Sequence, residues 1–216
     1  TPLGMGYDPV GGSLFFEGAL DDVLIFDEAL DATAIADLYA AQTEEPEFPD
    51  GEVASYDLDG NGLDGSGYGN HAVTQDLSVA TNRHGFGQSA MSFNGSSAQA
   101  TAPSSGQLNS DFTTVAFWIK LNSLPGQGEY YLLSNGGWQE RWKISLPGHG
   151  KPVWTTNADA ISDMDSGDGN ALVPGEWAHL AFVHDGTNDI IYLNGAQVAS
   201  KAVAGALNST TYPLGM

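Results

Sequence analysis

Apolar and polar residues alternate along several stretches of this chain with the two-residue period of a half-buried β-strand. The clearest stretch is 114–121, in which Val115, Phe117, Ile119 and Leu121 fall on one face. Comparable patterns predict further strands at 13–16, 19–26, 89–93, 130–133, 141–146, 177–184 and 189–193. The dipeptide Asn194-Gly195 then predicts a two-residue hairpin turn.

One segment has the period of a helix instead. Within 26–42 the apolar residues recur at spacings of three and four, as they do on the buried face of an amphipathic helix. Asp31 is the predicted N-cap of this helix. The acidic, proline-rich stretch 43–51 that follows predicts a linker.

These elements predict an all-β protein with one short α-helix. Its 216 residues suffice for a sizeable core, and turn-forming residues recur at the intervals typical of a sandwich or barrel. The sequence has no cysteine, which excludes disulfides and a thiolate zinc site. No apolar run reaches the ~20 residues of a membrane span, so we expect no membrane insertion.

The formal net charge is −21, with only six lysines and arginines. A surface of this kind repels nucleic acid phosphates and anionic lipids, so we expect neither as a partner. It attracts cations, and it also keeps a protein soluble at high salt.

The tetrapeptide PLGM occurs twice, at 2–5 and at 213–216, which are 213 − 2 = 211 positions apart. Self-similarity at a fixed separation indicates a repeat. Under this interpretation, the residues expected to follow Met216 are the residues that follow Met5.

Read in that joined order, three parts of the chain carry family motifs. They are DLDGNGLDGSGYGNHAV from 57, WAHLAFVHDGTNDIIYLNG from 177, and GALDDVLIFDEALDATAIADLY from 18. Together they resemble the laminin-G-like, concanavalin A-like jelly-roll family, particularly its bacterial extracellular modules. The resemblance implies a two-sheet antiparallel sandwich. It implies no single function, because this fold hosts lectins, glycanases, adhesion modules and spacers.

The chain order departs from that family, because the last strand and closing helix lie at the N-terminus. We call residues 1–42 the closing segment, 43–51 the linker and 52–216 the body. Three interpretations stay open: a slice of a tandem array, a circular permutant that completes its own sandwich, and a subunit that donates its closing segment to a neighbouring copy.

The stretch 57–64, DLDGNGLD, concentrates side-chain oxygens. An EF-hand loop is excluded, because Tyr68 occupies its twelfth position instead of glutamate and no helices flank it. The resemblance brings this loop close to the strand that carries Asp21 and Asp22. The predicted calcium ligands are Asp21, Asp22, Asp57, Asp59, Asn61 and Asp64.

Strand alternation places Asp21 on the face of Val23 and Ile25, and an inward carboxylate needs a partner such as calcium. The alternative is that the residues of 57–64 only form tight turns with Asx hydrogen bonds. A second acidic stretch, 161–170, is interpreted as a solvated loop, with a second calcium site as its alternative.

Aromatic and polar side chains between 138 and 154 suggest sugar binding, since sugars stack on aromatic rings and hydrogen-bond at the ring edge. Alternation assigns Trp142 to the core, and Trp118 and Trp177 are assigned there too. Trp138 follows two glycines and is expected on an exposed loop. The candidate ligand-binding residues are Trp138, Arg141, His149 and Trp154.

No catalytic pattern is found. A retaining glycanase of this fold needs paired carboxylates on one strand, whereas Glu129, Glu140 and Glu176 are isolated. We therefore predict a non-enzymatic, calcium-stabilised, extracellular or cell-surface unit that forms repetitive or self-assembling structures with other copies of itself. The alternative is a module that binds polysaccharides or glycoprotein glycans.

Overall fold

The computed structural model describes residues 3–7, 14–40 and 51–216, which form a sandwich of two sheets. Sheet 1 comprises β1 (Leu3–Met5), β4 (Val73–Gln75), β7 (Gln99–Ala102), β9 (Glu129–Asn135), β10 (Trp142–Pro147), β11 (Val153–Asn157), β12 (Ile161–Asp165) and β16 (Leu214–Gly215). Its spatial order is β12-β11-β10-β9-β16-β1-β7-β4. The pairings are antiparallel except for the parallel pair β1 and β16.

Sheet 2 contains the long central strands of the molecule. It comprises β2 (Glu17–Phe26), β3 (Glu52–Tyr56), β5 (Ser78–Ala80), β6 (Ala90–Asn94), β8 (Thr113–Leu121), β13 (Trp177–His184), β14 (Asn188–Leu193) and β15 (Ala196–Ala202). Its order is β15-β14-β13-β8-β2-β6-β5, and β3 pairs with the second half of β2. The predicted antiparallel sandwich is confirmed.

Two helices and one 3₁₀ turn complete the described residues: α1 (Ala32–Ala40), α2 (Gly137–Glu140) and the 3₁₀ turn Gln107–Asn109. The α1 helix is the predicted one. Its N-cap is also as predicted, since Asp31 Oδ1 accepts a hydrogen bond from the Ala34 amide at 2.9 Å. The four-residue α2 was not predicted. No helix in the described part of the chain is long and apolar enough to cross a membrane.

The main core lies between the sheets and follows the alternation of the sequence. Phe117 from β8 stacks on Phe182 from β13 at 6.1 Å between ring centroids. Trp142 and Trp154 from sheet 1 meet at 5.5 Å, and Trp154 also contacts Phe182 at 5.6 Å. These aromatic contacts join the two sheets, and they confirm that Trp142 is a core residue.

A smaller core lies on the outer face of sheet 2. The α1 side chains Ile35 and Leu38 pack there against Leu24 and Phe26 of β2 and Ala116 of β8. The closing segment therefore contributes a central strand, β2, to sheet 2 and a helix, α1, to the outer face of that sheet.

Three local predictions have different outcomes. Asn194 and Gly195 both have positive φ, at 50° and 77°, as the predicted two-residue turn requires. The predicted strand at 13–16 is wrong for 14–16, which has no strand conformation. The predicted loop at 161–170 is wrong in its first half, because Ile161–Asp165 forms β12 and pairs with β11. The predicted linker lies almost wholly outside the described residues.

Candidate functional site

A β-bulge in β2 sets the position of the two acidic residues predicted to bind calcium. Asp21 pairs with Trp118, but Leu24 pairs with Ala116, so one extra residue is inserted between them. Asp22 has a left-handed φ of 45° at this point. Leu20 and Val23 both face the main core as a result. The prediction that Asp21 shares the face of Val23 is wrong, because the bulge reverses the alternation.

On the outer face of sheet 2, Asp21 and Asp22 both form ion pairs with Arg83. Arg83 Nη1 lies 2.9 Å from Asp21 Oδ2 and 2.5 Å from Asp22 Oδ2. The guanidinium also lies over the Trp118 ring, 5.0 Å from its centroid. Arg83 therefore supplies the positive charge that the sequence prediction assigned to calcium.

The pKa of Asp21 shows how costly this arrangement is. Burial and the neighbouring Asp22 carboxylate raise the pKa of Asp21 to about 7, although Arg83 acts in the opposite direction. Burial also raises the pKa of Asp22, and the carboxylates of Asp57 and Asp59 add to this increase. Asp22, Asp57 and Asp59 therefore repel one another electrostatically across one corner of the molecule.

Two of the other predicted metal ligands, Asp64 and Asn61, form local structure. The Asp64 carboxylate accepts hydrogen bonds from the amides of Ser55, Ser66 and Asn70, which lower the pKa of Asp64 although burial alone would raise it. Asn61 Oδ1 accepts a bond from the Leu63 amide in an Asx turn. Within the described residues, no group of three or more acidic or histidine side chains is arranged to hold a metal ion.

The second acidic stretch is bound by a lysine. Lys151 Nζ lies 2.8 Å from Asp165 Oδ2 and 3.3 Å from Asp168 Oδ1. Asp163 accepts a hydrogen bond from Thr155 Oγ1 across the β11–β12 pair. These carboxylates thus have protein partners.

The four candidate sugar-binding residues do not form one surface. Trp138, in α2, is 45% exposed. Trp154 is fully buried in the core, which leaves no ring face for a ligand. Arg141 is also fully buried, and it donates to the carbonyl oxygens of Asn208 and Ser110.

His149 lies beyond the other end of β10 from Trp138. The six residues of this strand separate them by roughly 20 Å. Of the other tryptophans, Trp118 is buried against Tyr39 and Arg83 on the outer face of sheet 2, and Trp177 is half-buried. Of the predicted set, Trp138 and His149 are therefore exposed, at opposite ends of β10, and Trp138 is the only exposed tryptophan among the described residues.

A cavity of about 390 Å³ lies elsewhere, on the outer face of sheet 1. We call it the Tyr7 cavity; its described lining residues are Tyr7, Val73, Gln75, Gln99, Thr101 and Pro103. None of these residues was predicted from the sequence. The alternation of Gln99 and Thr101 with two alanines at 99–102 was the available signal, because small apolar residues on one face of a strand place the polar ones outside.

The two copies of the PLGM sequence meet in sheet 1. Strand β1 runs parallel to β16, with Leu3 opposite Leu214 and Gly4 opposite Gly215. Identical residues of the two copies are therefore in register.

Both copies also reach the same neighbours on either side. Gly4 and Gly215 each pair with Ser134 of β9. Met5 pairs with Ala100 of β7, and the backbone of Met216 exchanges two hydrogen bonds of 3.4 Å with Ala100. Two segments of the same sequence thus lie next to each other between β7 and β9 and share pairing partners.

Comparison with protein families agrees with this architecture. A family model described as the concanavalin A-like lectin/glucanases superfamily matches residues 94–215, which is more than half of the chain. The chain belongs to this superfamily. The match lies wholly within the body. A search of curated proteins finds no match.

Solved structures with the same fold include binding domains. Domain 4 of AbnA, a GH43 extracellular arabinanase from Geobacillus stearothermophilus, in complex with arabinotriose, is 18% identical with a TM-score of 0.55, covering 74% of this chain and 80% of that one. The binding domain of botulinum neurotoxin serotype G is 21% identical with a TM-score of 0.53, covering 70% and 40%.

A third similar structure is the binding domain of botulinum neurotoxin DC in complex with SialylT, at 13% identity and a TM-score of 0.51. The match covers 70% of this chain and 42% of that chain. The present chain thus spans about two fifths of the length of the toxin domains. At these identities the likeness shows the fold alone.

Proposed function

We propose that this chain is a non-catalytic, extracellular laminin-G-like unit that associates with further copies of itself by exchanging its closing segment. The observation that carries the proposal is the pair β1 and β16 between β7 and β9, in which two copies of one sequence lie in register and share Ser134 as a pairing partner. Because both copies suit the same neighbours, we expect these neighbours also to pair with the same sequence from another molecule.

The place of β2 in sheet 2 supports exchange of the whole segment. β2 lies between β8 on one side and β3 and β6 on the other. A body without this strand would expose unpaired backbone groups along both neighbours. Each body therefore needs a closing segment, either its own or one from a neighbouring copy.

Cysteine cross-linking distinguishes these two arrangements, because the natural chain has no cysteine. Ala19 of the closing segment lies opposite Ser92 of the body. The A19C/S92C variant should form a disulfide within one chain if the segment is closed, and between chains if it is exchanged. The protein should be refolded from denaturant at low and at high concentration, oxidised and analysed by denaturing, non-reducing electrophoresis.

The matched control is I190C/S200C, since these two register partners both belong to the body and cross-link within one chain in either arrangement. We expect a ladder of linked multimers for A19C/S92C after refolding at high concentration, and monomer for the control. Linked monomer alone for A19C/S92C at every concentration would overturn the proposal.

Calcium stabilisation stays a prediction. As they stand, the predicted ligands do not fit a calcium site, because Arg83 binds Asp21 and Asp22 and backbone amides bind Asp64. Free carboxylates for calcium would have to come from Asp57 and Asp59. Comparing thermal unfolding in calcium and in chelator tests this, and equal midpoints would exclude calcium as a stabiliser.

A second candidate function is glycan binding. It is favoured by the structure of AbnA domain 4 with arabinotriose, whose fold this chain shares over 80% of that domain. The exposed ring of Trp138 is the surface that sequence reasoning assigned to it. Titration with oligosaccharides tests this candidate, and absence of binding to all of them would remove it.

A further inference from the structure

The geometry points to the Tyr7 cavity as a binding site for a neutral saccharide, an inference that rests on the glycan-binding candidate for its class of ligand. The cavity measures about 390 Å³, which is within the range of about 300–1,000 Å³ typical of small-molecule sites. It lies away from Trp138, Arg141, His149 and Trp154, none of which lines it.

The strands that form the cavity direct polar side chains outward. In β7, Ala100 and Ala102 are fully buried in the main core, so Gln99 and Thr101 face the opposite side. The neighbouring strand β4 is paired so that Gln75 lies opposite Gln99. A floor of amides and a hydroxyl results.

The charge of the lining selects the class of ligand. None of the described lining residues is charged. A cation would find no carboxylate among them, and an anion would find no basic group and would meet a net charge of −21. An uncharged, hydroxyl-rich molecule brings no charge that would need a partner in the cavity and is not repelled by the negative net charge.

The polar groups suit hydroxyls that both donate and accept hydrogen bonds. The amide of Gln99 donates to Gln75 Oε1 at 3.2 Å, while Gln99 Oε1 is buried with no hydrogen-bond partner among the described residues. The Tyr7 hydroxyl lies 3.3 Å from Thr101 Oγ1. A sugar hydroxyl can satisfy the unpaired amide oxygen, which otherwise costs free energy.

The apolar part of the lining suits the C–H face of a sugar ring. The Tyr7 ring is held by stacking on Phe15, with 5.9 Å between centroids and 11° between planes. Val73, which is 74% exposed, and Pro103 add apolar surface. An aromatic ring with a few placed polar groups is the composition of a specific small-molecule site.

The site also lies at the boundary between the closing segment and the body. Tyr7 belongs to the closing segment, whereas the other described lining residues belong to the body. A ligand that contacts both sides stabilises the docked segment, whichever copy donates it. If segments are exchanged, the complete site contains residues of two copies.

Calorimetric titration of the full chain with arabinotriose, cellotriose and maltotriose tests the inference, with the anionic trisaccharide sialyllactose as the charge control. We expect at least one neutral probe to bind. The V73W variant should block the cavity, and Q75A/Q99A should weaken binding about tenfold by removing hydrogen bonds. Y7F should retain binding through its ring, and Y7A should lose it.

The matched control is V173W, which adds the same tryptophan at an exposed valine outside the cavity and should leave affinity unchanged. W138A removes the ring of the other candidate surface and distinguishes the two sites. Circular dichroism must show that each variant is folded. Binding that W138A removes and V73W leaves intact would overturn the cavity while supporting glycan binding at Trp138. Absence of binding by every neutral probe would overturn both. Neither result bears on segment exchange, which the cross-linking experiment tests separately.

Discussion

The outer faces of the two sheets are built in contrasting ways. The outer face of sheet 2 is covered by α1, and its buried carboxylate, Asp21, is paired with Arg83. The outer face of sheet 1 has an open cavity, and the described residues that line it are uncharged. The closing segment contributes to both faces, through α1 and through Tyr7. The contrast suggests that one face fixes this segment to a body and the other leaves room for a ligand.

The largest expected effect on stability comes from removing the Arg83 guanidinium from the outer face of sheet 2. Replacing Arg83 by methionine leaves Asp21, which is 2% exposed, without a positive partner. We expect a loss of about 4 kcal/mol in the free energy of unfolding near pH 8, because Asp21 must then either stay buried as an unpaired charge or take up a proton far above its ordinary pKa. Urea unfolding measures this loss.

The D21N/R83M double variant is the control, since it replaces the Asp21 carboxyl by an uncharged amide as well. It should recover part of the loss. If R83M alone were as stable as the natural chain, the Arg83 contact would contribute nothing to sheet 2.

The next largest effect on stability is expected where α1 packs against the apolar part of the outer face of sheet 2. Ile35 of α1 is fully buried against sheet 2, so Ile35→Ala should cost about 3 kcal/mol through lost burial and a cavity. Urea unfolding again measures the cost. The exposed Thr33 of the same helix is the matched control, and T33A should change stability by less than about 0.5 kcal/mol. Equal effects of the two variants would contradict the assignment of α1 as the cover of this face.

A smaller effect is a dependence of stability on pH. The pKa of Asp21 rises from its ordinary 3.8 to about 7 on folding, so the folded chain binds more protons between these values. The stability due to Asp21 is therefore complete below about pH 4 and is lost as the pH rises through about 7.

We expect D21N to flatten the fall in unfolding free energy between about pH 5 and 8 by on the order of 1–2 kcal/mol. His184 provides an internal comparison. Its hydrogen bond to Asp189 raises its pKa against the effect of burial, so its contribution is also lost as the pH rises. That part should persist in D21N. An identical pH profile for D21N and the natural chain would show that Asp21 does not titrate in this window.

The smallest effect is expected on the face of sheet 1. Val73 is 74% exposed at the Tyr7 cavity, so V73T should change the free energy of unfolding by less than about 0.5 kcal/mol. Chemical unfolding without ligand checks this. A loss comparable to that of I35A would mean that the cavity face helps to hold the fold together, and the contrast between the two sheets would fail.

Much of the fold could be predicted because its signals are local. The alternation in β8 and the Asp31 cap are both readable from a few neighbouring residues, and both are confirmed. The bulge at Asp21 and Asp22 could not be predicted in this way. It depends on pairing with Trp118 and on Arg83, which is 62 residues from Asp21 in sequence.

The candidate site was harder to predict for the same reason. Trp154 has sequence neighbours suited to a sugar site, yet it points into the core because of its place in β11 between β10 and β12. The Tyr7 cavity combines residues from three separate segments, and no local pattern joins them. The matched PLGM copies were visible, but their shared neighbours Ser134 and Ala100 required the sheet order.

The central place of β2 in sheet 2 also limits how fast the closing segment can be exchanged. Its hydrogen bonds to β8, β3 and β6 must all break before the closing segment can leave a body. Exchange between folded molecules would then proceed no faster than unfolding, which takes minutes to days for many stable domains. Closed and exchanged forms would persist side by side without reaching equilibrium. The assembly found in a sample would record how crowded the chains were when they folded.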